Sequence, residues 1–251
     1  MPTNDVVSSP ARPRALPADD APKRTFVRGM FSAIAPRYDF LNHLLSFHLD
    51  RWWRRRAIDE LRWEQSPGGT YLDLCAGTLD VAAALAARQG FAGRVLGADF
   101  AEPMLRAGRG KAKAGVVTPV VADALELPLA DNCAAGAIVA FGIRNVADLD
   151  AGLREVRRVL ARGARFVILE FTTPRQRLVR AVYHFYFHHV VPAVGGIISG
   201  HGAAYRYLPE SVARFPREEE LAARMHAAGL ADVRWTSLTF GVAAIHVGTK
   251  P

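Results

Sequence analysis

Two rhythms of apolar residues divide the chain. Between 26 and 45 they recur every three or four positions (Phe26, Met30, Phe31, Ile34, Tyr38, Leu41, Leu44, Leu45). That is the spacing of one helix face, with Pro36 set to break it. A basic helical stretch, 51–61, carries Trp52 and Trp53, and Pro67-Gly68-Gly69 closes this N-terminal helical cap (25–66). Beyond it, near-continuous apolar runs alternate with helix-period segments. The runs predict strands at 70–75, 94–99, 117–123, 135–142, 164–171, 233–240 and 243–249, with helices at 80–89, 101–113, 148–160 and 218–228. Strands this apolar, separated by helices, build a mostly parallel sheet covered on both faces, an α/β fold. Only Gly241-Val242 joins the last two runs, too short a link for a helical crossover, so they form an antiparallel hairpin.

The stretch 175–216 interrupts the alternation. It holds Leu178, Val179, Val182, Tyr183, Phe185, Tyr186, Phe187 and a glycine-rich segment around Gly195-Gly196, but Arg180, His184, His188 and His189 make it too polar to span a membrane. It reads as an inserted helical lid, whose apolar excess roofs a lipophilic pocket, lies in a membrane interface, or simply packs on the core. Residues 1–24 have no periodicity and no apolar core of a signal peptide, and read as a disordered tail of a cytoplasmic protein whose single domain is 25–251.

The chemistry concentrates between Thr70 and Asp99. A strand containing Asp73 runs into the turn Ala76-Gly77-Thr78, a helix follows, and the next strand ends on Asp99. An acid at that tip can accept from both ribose hydroxyls of an adenosine-containing cofactor, and a small-residue turn lets the backbone approach it. The three-glycine fingerprint of a pyrophosphate site is missing, since only Gly77 serves, and no P-loop sequence occurs. The turn therefore suits a phosphate-free cofactor such as S-adenosylmethionine. An ordinary strand-to-helix turn, with Asp99 as a helix cap, is the alternative.

Composition narrows the picture little further. The 251 residues, half of them apolar, suffice for one α/β domain. The net charge of +8 admits nucleic acid, an anionic membrane, or a genome's preference for arginine, but no RNA-binding module accompanies it. Cys75 and Cys133 lie in apolar strand-like contexts and read as reduced, buried thiols, and no zinc spacing occurs.

Four separated motifs carry a resemblance. They are Tyr38-Asp39, Asn42, Leu45-Ser46 and Trp52-Trp53; Phe141-Gly142-Ile143-Arg144-Asn145-Val146; Arg158-Val159-Leu160, Gly163 and Phe166 through Glu170; and Ala204-Tyr205-Arg206-Tyr207-Leu208. In this order, over Phe26 to Lys250, the chain resembles the ubiquinone/menaquinone-biosynthesis C-methyltransferase family of the UbiE/MenG type. The resemblance implies a class I methyltransferase fold, with a seven-stranded Rossmann-like sheet. It also implies methyl transfer from S-adenosylmethionine to a ring carbon of a polyprenylated quinol. Asp73, Gly77, Thr78, Asp99, Asp123, Ala124 and Ala140 become the expected cofactor contacts, with Asp123 accepting from the adenine amine. Arg144 and Asn145 become the catalytic candidates, Arg144 as the cation that favours a phenolate, and Tyr38, Asn42, Tyr205 and Arg206 those that close over the ring.

The chain departs from the family pattern at Leu79, where a glycine is usual, at Ala140 for serine and at Asp50 for histidine. A related methyltransferase acting on another aromatic or lipid, and a non-catalytic cofactor-binding subunit, remain alternatives. The expected partners are the quinol and, peripherally, an anionic membrane surface rather than nucleic acid; self-association stays open. Arg51, Arg54, Arg55, Arg56, Arg175, Arg177 and Arg180 are the basic residues expected to face lipid heads.

Overall fold

Proline and the helical period shape the N-terminal cap as expected. The first helix, α1 (Ala21–Ile34), stops at a single 3-10 turn, Ala35–Arg37, and α2 (Tyr38–Leu45) starts directly after it. A left-handed turn at Phe47 and His48 leads into α3 (Leu49–Glu60). The computed structural model describes residues 21–112, 115–199 and 202–251. Helix α1 begins inside the segment expected to be a tail, and that expectation for 1–20 lies outside the described residues.

The apolar runs then become a sheet. β1 (Thr70–Leu74), α4 (Asp80–Ala86), β2 (Arg94–Asp99), α5 (Glu102–Ala107), β3 (Val117–Val121), β4 (Ala134–Ala140), α6 (Leu149–Val159) and β5 (Leu160–Phe171) alternate. Three lid helices follow, α7 (Arg177–Phe185), α8 (Val191–Ser199) and α9 (Gly202–Arg214), with a π-helical turn joining the first two. The chain ends with α10 (Glu218–Ala227), β6 (Ala231–Leu238) and β7 (Ala243–Thr249). The strand order is β3-β2-β1-β4-β5-β7-β6; β1 to β5 run parallel and β7 is antiparallel to both neighbours. This is the seven-stranded, hairpin-closed sheet that the sequence pattern and the resemblance led us to expect.

The corrections are local. Helix α5 ends at Ala107 rather than 113, with Gly108 at its C-cap, and the last hairpin starts two residues early. Cys133 is exposed in the turn before β4, not buried.

Both faces of the sheet are covered. Trp53, Ile58 and Leu61 pack with Val81 and Leu85 on one side; Leu153, Val156, Leu221 and Met225 pack on the other. Each fully buried side chain of this size contributes about 1.5–3 kcal/mol. The parallel strands direct their C-terminal ends to one edge, where α1, α2 and the lid gather.

One buried polar residue gives the fold a pH response. His246 on β7 is almost wholly enclosed; its Nε2 donates to Glu218 O at 3.0 Å, and its Nδ1 has no partner. Burial depresses its pKa below the usual 6.5. The unfolded chain therefore binds a proton at mildly acid pH that the native imidazole refuses, so stability falls as pH drops below that value. We expect thermal melts of the wild type and His246→Phe to diverge by up to about 1.4 kcal/mol per pH unit just below pH 6.5, the wild type losing more. Parallel curves would show that His246 does not titrate on unfolding.

Candidate functional site

The turn after β1 is built from left-handed residues. Cys75, Gly77 and Leu79 have φ of 52°, 52° and 65°, which folds the backbone into a short crook under the end of β2. Asp99 pins this crook. One carboxylate oxygen accepts from Gly77 N at 2.9 Å and the other from Ala101 N at 2.8 Å. Burial raises the Asp99 pKa, with the backbone donors of Ala101, Gly77 and Phe100 opposing. Each oxygen retains a lone pair, which is what a ribose diol requires. Gly77, Asp99, Asp123, Ala124, Ala140 and Asn145 all line the same cleft.

That cleft encloses only about 60 Å³, well below the roughly 300 Å³ at which small-molecule sites begin. Arg24 of α1 reaches across it to pair with Asp123, and Phe31 and Tyr38 close its roof. The polar floor fits an adenosine, and admitting one requires the Arg24–Asp123 pair to part.

Two expected cofactor contacts are placed elsewhere. Asp73, the penultimate residue of β1, is buried, accepting from Ala82 N at 2.9 Å at the start of α4. Desolvation raises its pKa to about 8. It secures the helix beneath the turn and does not line the cleft. The Thr78 hydroxyl donates to Asp39 of α2. Asp39 accepts in turn from Lys111 at 2.5 Å, Lys111 bridges to Asp80, and Asp80 lies 3.4 Å from Arg54, itself paired with Asp50. This chain of charges ties the helical cap to the turn. Strand position is legible from sequence; the direction of the side chain at the turn is not.

Leu79, the departure that bears most on the cleft, points away from it. Its side chain is buried beneath β2, lining neither cavity, and a Cβ added to Gly97 would stand 2.3 Å from its Cδ2. Gly97 thus makes the room that Leu79 fills.

A second, larger cavity of about 560 Å³ lies between the cap and the lid. Its walls are almost wholly apolar: Met30, Ile34, Leu45, Val179, Phe187 and Leu208 are typical. Arg144 supplies a buried cation, from the 3-10 turn after β4. Its Nη1 donates to Glu170 Oε1 at 2.7 Å and to Phe141 O at 2.5 Å, and its Nε donates to Ser211 Oγ of the lid at 3.3 Å. Among the described residues its Nη2 has no partner. Burial raises the Glu170 pKa, with Arg144 opposing.

Tyr38, Asn42 and Tyr205 line this cavity, whereas Asn145 faces the polar cleft and accepts from Tyr207 Oη at 3.2 Å. Arg206 sits in α9, and its side chain lies outside the described residues. Sequence reasoning did not single out Tyr183 as a site residue. The hydroxyls of Tyr183 and Tyr205 are both buried at this cavity without a hydrogen-bond partner. Burial pushes both phenols above the usual tyrosine range, so they are present as donors.

Phe31, Tyr38 and Phe141 line both cavities and form their common wall. Phe141 adopts φ of 62° at the end of β4, backbone strain of the sort found where a side chain must be held in a required position.

A polar cleft sharing a wall with an apolar cavity is an arrangement for joining two unlike molecules, and known proteins decide which. The ubiE/COQ5 methyltransferase family matches residues 19–250. The chain belongs to this family. A demethylmenaquinone methyltransferase of Thermus thermophilus is 54% identical over 88% of this chain and 100% of its own length. A ubiquinone/menaquinone biosynthesis C-methyltransferase of Geobacter sulfurreducens is 47% identical over 89% of this chain and 88% of its own. Among solved structures, a putative methyltransferase complexed with the Haloferax volcanii Trm112 activator aligns with a TM-score of 0.61 at 17% identity, covering 87% of this chain and 97% of its own. As a member of the family, the chain is an S-adenosylmethionine-dependent methyltransferase with the class I fold. Asp99, Gly77, Asp123 and Ala124 are the residues whose position fits that cofactor.

The leucine of the turn is testable. In Leu79→Gly the lost burial outweighs the relieved left-handed strain, for a net destabilisation of about 1–3 kcal/mol in chemical denaturation. The Kd for S-adenosylmethionine by calorimetry should stay within about twofold. Tighter cofactor binding by more than that would mean the leucine obstructs the cleft.

Proposed function

We propose that the chain methylates a ring carbon of a polyprenylated quinol, demethylmenaquinol in the first place. One observation carries this reading. An apolar cavity large enough for a lipid head, with a buried arginine and two unpartnered tyrosine hydroxyls, shares a wall with the cofactor cleft. The names of the Thermus and Geobacter relatives support the substrate class, and the Thermus name supports the naphthoquinol. Such a lipid resides in a bilayer, so on this reading the enzyme works at the inner face of the plasma membrane.

The chemistry follows from the residues. When bound, S-adenosylmethionine supplies an electrophilic methyl group. A quinol carbon becomes a competent nucleophile once the neighbouring hydroxyl passes its proton to a water reached through the cavity mouth, since a phenol holds that proton up to about pH 10 in water. After transfer the ring hydrogen that the methyl group replaces leaves as a proton by the same route. The guanidinium of Arg144 stays charged and favours the phenolate electrostatically. Its pairing with Glu170 and Ser211 fixes its plane, so little reorganisation accompanies the charge change. Tyr183 and Tyr205 donate to quinol oxygens, which otherwise enter an apolar cavity unsatisfied at about 1–3 kcal/mol each. Phe31, Tyr38 and Phe141 hold the ring against the cofactor cleft, and the apolar walls exclude water.

Three measurements test the reading. The purified enzyme should add one methyl group, read by product mass, to reduced demethylmenaquinol; activity on 2-methoxy-6-polyprenyl-1,4-benzoquinol alone would reassign the ring. In single-turnover assays Arg144→Ala should slow methyl transfer by about 10²–10³-fold. A rate equal to wild type at saturating substrate would remove Arg144 from catalysis. Tyr183→Phe should melt at or slightly above the wild-type temperature, because it deletes an unpaired buried hydroxyl, yet raise the quinol KM about fivefold to tenfold. An unchanged KM would leave that hydroxyl without a role in binding.

A further inference from the structure

The large cavity opens through a collar of exposed apolar side chains drawn from separate parts of the chain. On α7, Leu178, Val182 and Phe185 stand at positions i, i+4 and i+7, all exposed, while Tyr183 on the opposite side is buried. Leu178 is 79% exposed and still lines the cavity, as does Val182. The loop between α2 and α3 contributes Phe47, 73% exposed at φ of 52°. The tip of the β6–β7 hairpin contributes Phe240, 76% exposed at φ of 57°, between the cavity-lining Thr239 and Val242. Bulky aromatics in left-handed backbone and facing solvent oppose both backbone preference and the hydrophobic effect, and here both flank one opening.

Charge distinguishes this surface from a plain apolar patch. From Phe171 to Pro209 the chain contains no acidic residue. Arg177 and Arg180 lie together along the other edge of the exposed arc of α7, about a third of a turn or more from the middle of the stripe, without ion pairs among the described residues. Of the other arginines expected to face lipid, Arg54 is instead buried against Asp50, and Arg175 is committed to Glu219 and Glu218. An apolar stripe beside a cationic one on the same exposed helix side is the pattern of a helix lying in a bilayer interface.

We propose that this collar, formed by α7, Phe47 and Phe240, docks on an anionic lipid bilayer so that the cavity mouth opens directly into the acyl region. The inference rests on the reading that the cavity receives a lipid quinol. It assigns the orientation: α7 lies in the plane of the headgroups, the ring enters the cavity head first, and the distal part of the tail remains in the membrane. A protein partner is the less favoured occupant, because the opening within the patch leads to a lipid-sized cavity and the flanking charge is all of one sign.

The test is flotation of the full-length protein with vesicles of phosphatidylcholine alone, or with roughly one-third phosphatidylglycerol. The wild type should float with the anionic vesicles and be released by salt. Phe185→Ser with Phe240→Ser, and separately Arg177→Glu with Arg180→Glu, should each weaken vesicle binding by about tenfold or more. None of these four residues lines either cavity, so methyl transfer to a short-tailed, water-soluble quinol without vesicles should match wild type, as should the melting temperature. Transfer to a long-tailed quinol embedded in vesicles should fall in step with binding. Three results overturn the proposal: a wild type that ignores anionic vesicles, variants that float equally well, or a wild-type dimer in sedimentation that the serine variant dissociates. Flotation needs no turnover, so a protein that floats but methylates neither quinol refutes the substrate and leaves the docking surface standing.

Discussion

The site is organised around a buried ion pair. Arg144 and Glu170 meet at the ends of β4 and β5 with almost no solvent contact, beside a cavity whose walls offer little else that is polar. Two charges in such surroundings are retained at a desolvation cost, and removing either one strands the other at roughly 3–5 kcal/mol. The pair holds a cation in place before any substrate arrives. It also joins the sheet to the lid, since Ser211 of α9 accepts from the same guanidinium and Tyr207, one turn earlier, reaches Asn145. The 3-10 turn at Ile143–Asn145 is therefore where sheet, lid, cleft and cavity are joined.

The two cavities differ in what they ask of the protein. The cofactor cleft is a backbone structure, a crook of left-handed residues held by Asp99, and its side chains are mostly small. The apolar cavity is a side-chain structure, assembled from α1, α2, α3 and the lid around two ion-paired arginines, Arg144 and Arg54. The first keeps its shape through backbone geometry; on the proposed reading the second receives the acceptor.

Legibility from sequence follows the same division. Strands buried on both faces announce themselves as unbroken apolar runs, and a link as short as Gly241-Val242 admits only a hairpin, so a parallel sheet closed by a hairpin could be anticipated. The end of α5 could not, because helical periodicity persists past Gly108 into residues that turn away. At the site, the sequence places Asp99 at a strand end, but Asp73, next to the end of β1, and Thr78, in the turn after it, show that a place near the tip does not say which side a carboxylate or hydroxyl faces. Tyr183 escaped notice because the lid is apolar on its inner and outer sides alike, and period alone does not tell them apart. An unpartnered hydroxyl is a property of the packed state and leaves no mark on the chain.

The packing of Leu79 against Gly97 has a historical consequence. With the leucine present, a methyl group at 97 would stand 2.3 Å from its Cδ2, so a change there first obliges the leucine end to shift. Shortening the leucine first frees position 97, and once an alanine has settled there a returning leucine meets the same crowding. The two sites are coupled: the cost of mutating one depends on which residue a descendant carries at the other.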